Sequence, residues 1–139
     1  MDDDEMMREI LSSAKTVASV GLSSNPRKES YGVAAYLKDH GYRVIPVNPT
    51  AAEILGEKSY PDLASVPEKI DVVQVFRRPE DVPPVVEQAI KAGAKVVWMQ
   101  EGIVNEEAAG MARAAGLQVV MDACMRQTHK RLFGGGGSL

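Results

Sequence analysis

The residues best placed to do chemistry are Gly21, Leu22, Ser23, Ser24 and Arg27, within the run Thr16-Val17-Ala18-Ser19-Val20-Gly21-Leu22-Ser23-Ser24-Asn25-Pro26-Arg27. The run opens with apolar, β-branched residues that suit a buried strand. Gly21 breaks it into a short polar loop. From Ser30 an apolar pattern resumes at helical spacing. Strand, glycine turn and helix open a nucleotide-binding α/β unit. Such a turn gathers backbone N–H groups and a helix N-terminus at one spot, which favours an anion. The expectation is a loop that holds the diphosphate of a nucleotide cofactor. The hydroxyls and the Arg27-Lys28 pair add donors and positive charge.

Other residues invite chemistry less strongly. Arg77 and Arg78 follow the third strand on the expected ligand side, free to meet a phosphate or to pair with Glu80 and Asp81. Cys124 and His129 suggest a nucleophile with a basic setting, since Arg126, Lys130 and Arg131 stand close in sequence. Cys124 directly follows the fifth strand, however, where a small buried thiol is common, and we read it as core. Zinc needs about four ligands, and two histidines with one cysteine are too few without carboxylates. His40 sits at a helix end, Trp98 reads as core, and Glu101 is a lone carboxylate without a partner for acid–base work.

These residues must be positioned by an alternating chain. A helix is predicted over 2–14, capped by Asp2 or Asp3, with an acidic first turn. Strands are predicted at 16–20, 42–47, 71–76, 95–99 and 117–121, with helices at 30–40, after Arg77-Arg78-Pro79, and from Asn105 to Ala115. Ser30 is the expected cap of the second helix. Residues 51–65 read as a crossover with a short helix near Leu63. The strands are continuous apolar runs, which indicates a parallel sheet covered on both faces. The fold class is therefore α/β: a Rossmann-like, doubly wound, five-stranded parallel sheet with an N-terminal helix. The expected strand order is 3-2-1-4-5 with right-handed crossovers, and the ligand lies over the C-terminal strand ends. One domain over residues 1–133 is expected, followed by a glycine-rich tail, 134–139, that reads as disordered.

Composition narrows the function classes. With 139 residues, 45% of them hydrophobic, and a net charge of −3, the chain suits one globular domain. No basic run marks a nucleic acid or an anionic membrane as partner. The single cysteine allows no intrachain disulfide, and the acidic N-terminus is unlike a signal peptide. A reducing cytoplasm is the simplest compartment. A homodimer or an unidentified protein partner is left open.

Two familiar phosphate-binding patterns do not fit. The dinucleotide fingerprint needs Gly-x-Gly-x-x-Gly and an acidic residue near the end of the second strand. Here Gly21 stands alone, and that strand ends in Val47-Asn48-Pro49. The Walker sequence is absent as well.

Val20-Gly21-Leu22-Ser23-Ser24-Asn25-Pro26 with Ser30-Tyr31, then Tyr42-Arg43-Val44-Ile45-Pro46-Val47-Asn48-Pro49, resembles the small stand-alone CoA-binding proteins. Gly56, Tyr60-Pro61-Asp62-Leu63, Val66-Pro67, Ile70 to Val73 and Phe76-Arg77 extend the resemblance. It continues through Gly93-Ala94-Lys95, Trp98 to Gly102, and Val120 to Cys124. It spans residues 10–133. It implies the fold of the N-terminal domain of the succinyl-CoA synthetase alpha subunit, with coenzyme A as the cofactor. By that resemblance Gly21, Leu22, Ser23 and Ser24 meet the CoA phosphates, with Arg27 nearby. Asn48, Pro49 and Thr50 lie beside the nucleotide end, without the lysine that the synthetase carries near Thr50. Met99, Gln100 and Glu101 match the synthetase's Thr-Glu-Gly loop, with Gln100 in place of its threonine. The synthetase's second, phosphohistidine domain has no counterpart here, so CoA binding is implied and ligase activity is not. The expectation is a carrier, sensor or regulator. The alternatives are an enzyme acting on a CoA thioester or CoA disulfide through Cys124, and a protein that binds NAD or another adenine nucleotide.

Overall fold

The computed structural model describes residues 2–134, so the expected tail lies outside the described residues apart from Gly134. Five parallel strands form the sheet: β1 (Thr16–Val20), β2 (Arg43–Val47), β5 (Val72–Val75), β6 (Val96–Met99) and β7 (Gln118–Val120). A small antiparallel pair, β3 (Glu53–Ile54) and β4 (Glu57–Lys58), was not anticipated. The helices are α1 (Asp3–Ser13), α2 (Glu29–Asp39), α3 (Val82–Lys91), α4 (Glu106–Ala114) and α5 (Met125–Phe133). Asp2 caps α1 through the Glu5 amide, and Asn105 caps α4 through the Ala108 amide.

Apolar residues on alternate sides of each strand explain the continuous hydrophobic runs. Ala18, Val73, Val75, Val97 and Met99 pack against α3 and α4. Val17, Val72, Val96 and Trp98 pack against α1, α2 and α5. Trp98 is fully buried, as expected of a core residue, and its indole N–H donates to the Ala123 carbonyl at 2.7 Å.

The strand order corrects one expectation. The order is β2-β1-β5-β6-β7, so the third long strand lies beside the first and not outside the second. In a count of long strands this is 2-1-3-4-5 instead of 3-2-1-4-5. Pro46 supplies a physical reason. The Arg43 amide donates to Lys15 and the Val47 carbonyl accepts from Gly21, both on the β1 side. Pro46, between them in alternation, faces outward and has no N–H for an outer neighbour. Proline is tolerated in an edge strand and costly in a central one. On its outer side the β2 backbone pairs with Tyr60, whose amide donates to the Pro46 carbonyl at 3.1 Å and whose carbonyl accepts from Asn48 at 2.8 Å. Winding therefore reverses between β1 and β5 and not between the first and fourth strands, and a crevice for a ligand is expected over the C-terminal ends of β1 and β5.

At the other end of the same strands, Asp71 accepts the amides of Lys15 (2.9 Å) and Thr16 (3.0 Å), with Lys95 at 3.6 Å. Burial pushes its carboxyl up, but the two amides and Lys95 outweigh this and hold it below the ordinary carboxylate value. Replacing Asp71 by Asn is expected to destabilise the fold by about 1–2 kcal/mol in urea unfolding at pH 7.

The helix α5 docks on α2 through His129. The Tyr36 hydroxyl is hydrogen-bonded to His129 Nδ1 at 2.7 Å, and His40 stacks on Tyr36 at 3.9 Å. Tyr42 and Phe133 also edge the His129 ring, and Lys130 lies over Tyr36. Burial first, then the charge of His40, lowers the pKa of His129 below its ordinary value. The folded chain therefore binds this proton less readily than the unfolded one. Stability from this group is full above the unfolded pKa of about 6.5 and falls as pH drops through it toward the folded value. Thermal unfolding measured between pH 7.5 and 5.0 should show a decline in native stability that is shallower in a His129→Gln variant.

Candidate functional site

At the end of β1 the chain turns at Gly21 with φ +91°. Its amide donates to Val47 at 3.0 Å, and the Phe76 amide donates to Val20 at 2.8 Å. A Cβ on residue 21 would stand 2.2 Å from the Phe76 carbonyl oxygen and 3.1 Å from Arg77 Nη1. Both the backbone angle and the space demand glycine. Leu22 then turns inward and is fully buried, so only its backbone is available to a ligand.

One side chain ties the first two strand-end loops together. Asn48 Nδ2 donates to the Leu22 carbonyl at 2.9 Å, while its Oδ1 accepts the amide (2.7 Å) and the hydroxyl (2.8 Å) of Thr50. Pro49 and Thr50 are exposed beside it.

The loop after Gly21 is folded by its own short polar side chains. Ser23 accepts the Asn25 amide and Asn25 accepts the Arg27 amide, each at 3.0 Å. The Asn25 carbonyl takes the Lys28 amide at 3.0 Å, and α2 starts at Glu29. Lys28 is thus the N-cap and makes no side-chain cap bond. Ser30, the expected cap, lies inside the first turn, and its hydroxyl accepts the Ser23 amide at 3.0 Å. Among the described residues, the amides of Leu22, Ser24, Glu29 and Ser30 make no hydrogen bond. These are free donors of the kind a helix N-terminus offers to an anion.

Beneath the crevice runs a chain of buried polar groups. The Ser19 hydroxyl donates to Gln74 Oε1 at 2.8 Å, and Gln74 Nε2 donates to Gln100 Oε1 at 3.1 Å. The Met125 amide donates to the same Gln100 oxygen at 3.0 Å. Gln100 is 4% exposed, its carbonyl is doubly engaged, and its NH2 group has no partner among the described residues. Met99 is fully buried in the core, and Glu101 is exposed.

The two arginines after β5 divide the roles foreseen for them. Arg78 pairs with Asp81 at 3.1 Å and lies 3.8 Å from Glu80. Arg77 is half-buried, lies against Gly21, and has no acidic or hydrogen-bonding partner among the described residues. Arg27 and Ser24 are exposed at the rim. The expected residues thus divide into a connected group (Gly21, Leu22, Ser23, Asn48, Thr50), a flanking cation (Arg77), and Gln100 on the polar chain.

Cys124 is 5% exposed at the start of α5, in line with a core role. His129 is committed to Tyr36, and no group of three or more metal-ligating side chains occurs among the described residues. A hollow lined by Ile10, Asp71, Lys95 and Gln118 lies at the opposite end of the strands, where the Asp71–Lys95 pair occupies its rim.

Two residues were missed. Gln74 is a polar residue inside the apolar run 71–76, and that interruption was the available signal. In the sequence Arg126 stands out only as a neighbour of Cys124. The structure sets its Nη1 3.0 Å from where a Cβ on Gly32 of α2 would be. No sequence pattern links positions 32 and 126, since the contact is made by helix packing.

A family model described as a CoA-binding domain matches residues 15–130. The Bacillus subtilis protein YneT is 44% identical over 123 residues, 88% of this chain and 91% of that protein. A solved structure of a Pyrococcus horikoshii protein superposes with a TM-score of 0.92 at 47% identity, covering 96% of this chain and 94% of that one. The ADP-forming acetate–CoA ligase II of Archaeoglobus fulgidus is 30% identical over 95 residues, 67% of this chain but only 14% of the ligase. From its first strand into its last helix, this chain belongs to the CoA-binding domain family.

Proposed function

We propose that this protein binds coenzyme A, or an acyl-CoA, with the diphosphate seated on the loop Gly21–Ser24 and the first turn of α2. The observation that carries the reading is the set of free amides at Leu22, Ser24, Glu29 and Ser30 on a turn that only glycine can make. Backbone donors and a helix N-terminus hold a phosphate with no side-chain rearrangement. Membership of the family supplies the choice of coenzyme A among phosphate-bearing ligands. Asn48, Pro49 and Thr50 would flank the nucleotide end. Arg27 at the rim would add long-range attraction, while the free NH2 of Gln100, with Met99 and Glu101 on either side, would meet the arm that runs across the strand ends.

The role is that of a carrier, sensor or regulator in the cytoplasm, without a reaction of its own. Support comes from the burial of Cys124 and from the engagement of His129 with Tyr36, which leave neither set up as a nucleophile–base pair. The ligases that share this domain are far longer, and their activity is not carried over.

Calorimetric titration with CoA, NAD and ATP tests the choice of ligand. Binding of CoA in preference to the other two is expected, and no binding of CoA would overturn the reading. Gly21→Ala should cost at least tenfold in CoA affinity, because the added methyl must displace the Phe76 carbonyl or the loop. Cys124→Ser should leave CoA affinity unchanged. Turnover of an acyl-CoA that vanishes in Cys124→Ser would instead favour an enzyme.

A further inference from the structure

Three of the cationic side chains are withdrawn from full solvent exposure: Lys38, Arg77 and Arg126. Lys38 is satisfied, since it reaches Glu57 at 3.0 Å and the Leu55 carbonyl at 2.5 Å. Arg77 and Arg126 have no acidic or hydrogen-bonding partner among the described residues, and the Nε of Arg126 is buried without one. A guanidinium that has lost part of its water without gaining a counter-ion is costly, so an unpaired pair calls for an explanation.

Both arginines press on the same strand–turn–helix unit, at two points along it. Arg77 Nη1 comes within 3.1 Å of the position of a Cβ on Gly21, where the loop begins. Arg126 Nη1 comes within 3.0 Å of the position of a Cβ on Gly32, one turn into α2. The free amides of Leu22, Ser24, Glu29 and Ser30 lie between these two points along the chain. Arg126 is fixed there by the start of α5, which is pinned through the Met125 amide on Gln100 and the Ala123 carbonyl under Trp98. A diphosphate carries a negative charge on each phosphoryl group, and a guanidinium at each end of its cradle matches that distribution.

We infer that Arg126, supplied by the last helix, is a ligand-binding residue that meets the diphosphate together with Arg77, so that the binding site spans both ends of the chain. The inference rests on the diphosphate seat proposed above and adds the residue that completes it. It also gives α5 a part in binding beyond covering the sheet.

The test is calorimetric titration of CoA and of ADP, which shares the diphosphate but lacks the pantetheine arm. The native chain is compared with Arg126→Gln, Arg126→Lys and Gln127→Ala. Losing a charge-assisted contact is expected to weaken CoA and ADP alike by about ten- to a hundredfold in Arg126→Gln. Arg126→Lys should lose less, and Gln127→Ala, an exposed neighbour, should lose nothing. Gly32→Ala serves as a second variant that keeps every charge. Alanine favours the helix, but its methyl displaces the guanidinium, so both ligands should bind severalfold more weakly while the melting temperature holds. Unchanged CoA affinity in Arg126→Gln would overturn the inference, as would a loss for CoA without a loss for ADP. A native chain that bound ADP but not CoA would overturn the CoA reading alone. One that bound neither would overturn both.

Discussion

The carbonyl of Phe76 fills the space in which any side chain on residue 21 would begin. That close approach follows from β1 and β5 being direct neighbours, with the Phe76 amide bound to Val20. It forces glycine at the turn, and the positive φ sends the chain over the strand ends and into α2. Everything assembled at the crevice depends on that geometry. Leu22 can drop into the core only from this turn, and Asn48 can reach the Leu22 carbonyl only when Leu22 is so placed. The loop is therefore held at its entry by backbone contact with one neighbouring strand and at its middle by a side chain from the other.

A second set of contacts joins this crevice to the far end of the sequence. Ser19, Gln74 and Gln100 carry hydrogen bonds across three strands to the first amide of α5. Hydrogen bonds in so dry a place are strong when complete and costly when broken. The chain of amides sets the height of α5 above the sheet, while the His129–Tyr36 bond sets its position on α2. The last helix, for which the sequence predicts no element, is thus fixed at two points.

Much of this was legible in the residues. The five long strands, Asp2 and Asn105 as caps, and the turn at Gly21 followed from local chemistry, and the structure places them where that chemistry requires. The strand order did not follow, because an alternation of strands and helices is common to both orders. The residue that distinguishes them, Pro46, was in plain view but was read only as part of a motif. The hairpin β3–β4 escaped because two-residue strands have no periodicity to detect. The polar turn from Ser23 to Ser30 was legible because its hydrogen-bond partners are neighbours in sequence. The placements of Gln74 and Arg126 were not, since each is set by the packing of elements distant in sequence.

The shared oxygen of Gln100 has a consequence for how this sequence can drift. Exchanging Gln74 for an apolar residue would strand the Ser19 hydroxyl, and exchanging Gln100 would strand both the Gln74 amide and the Met125 backbone. Each single step leaves a dry, lonely polar atom, whereas replacing several members together can be nearly neutral. Relatives that have abandoned this trio should therefore have abandoned it as a block, and intermediates holding only part of it should be scarce.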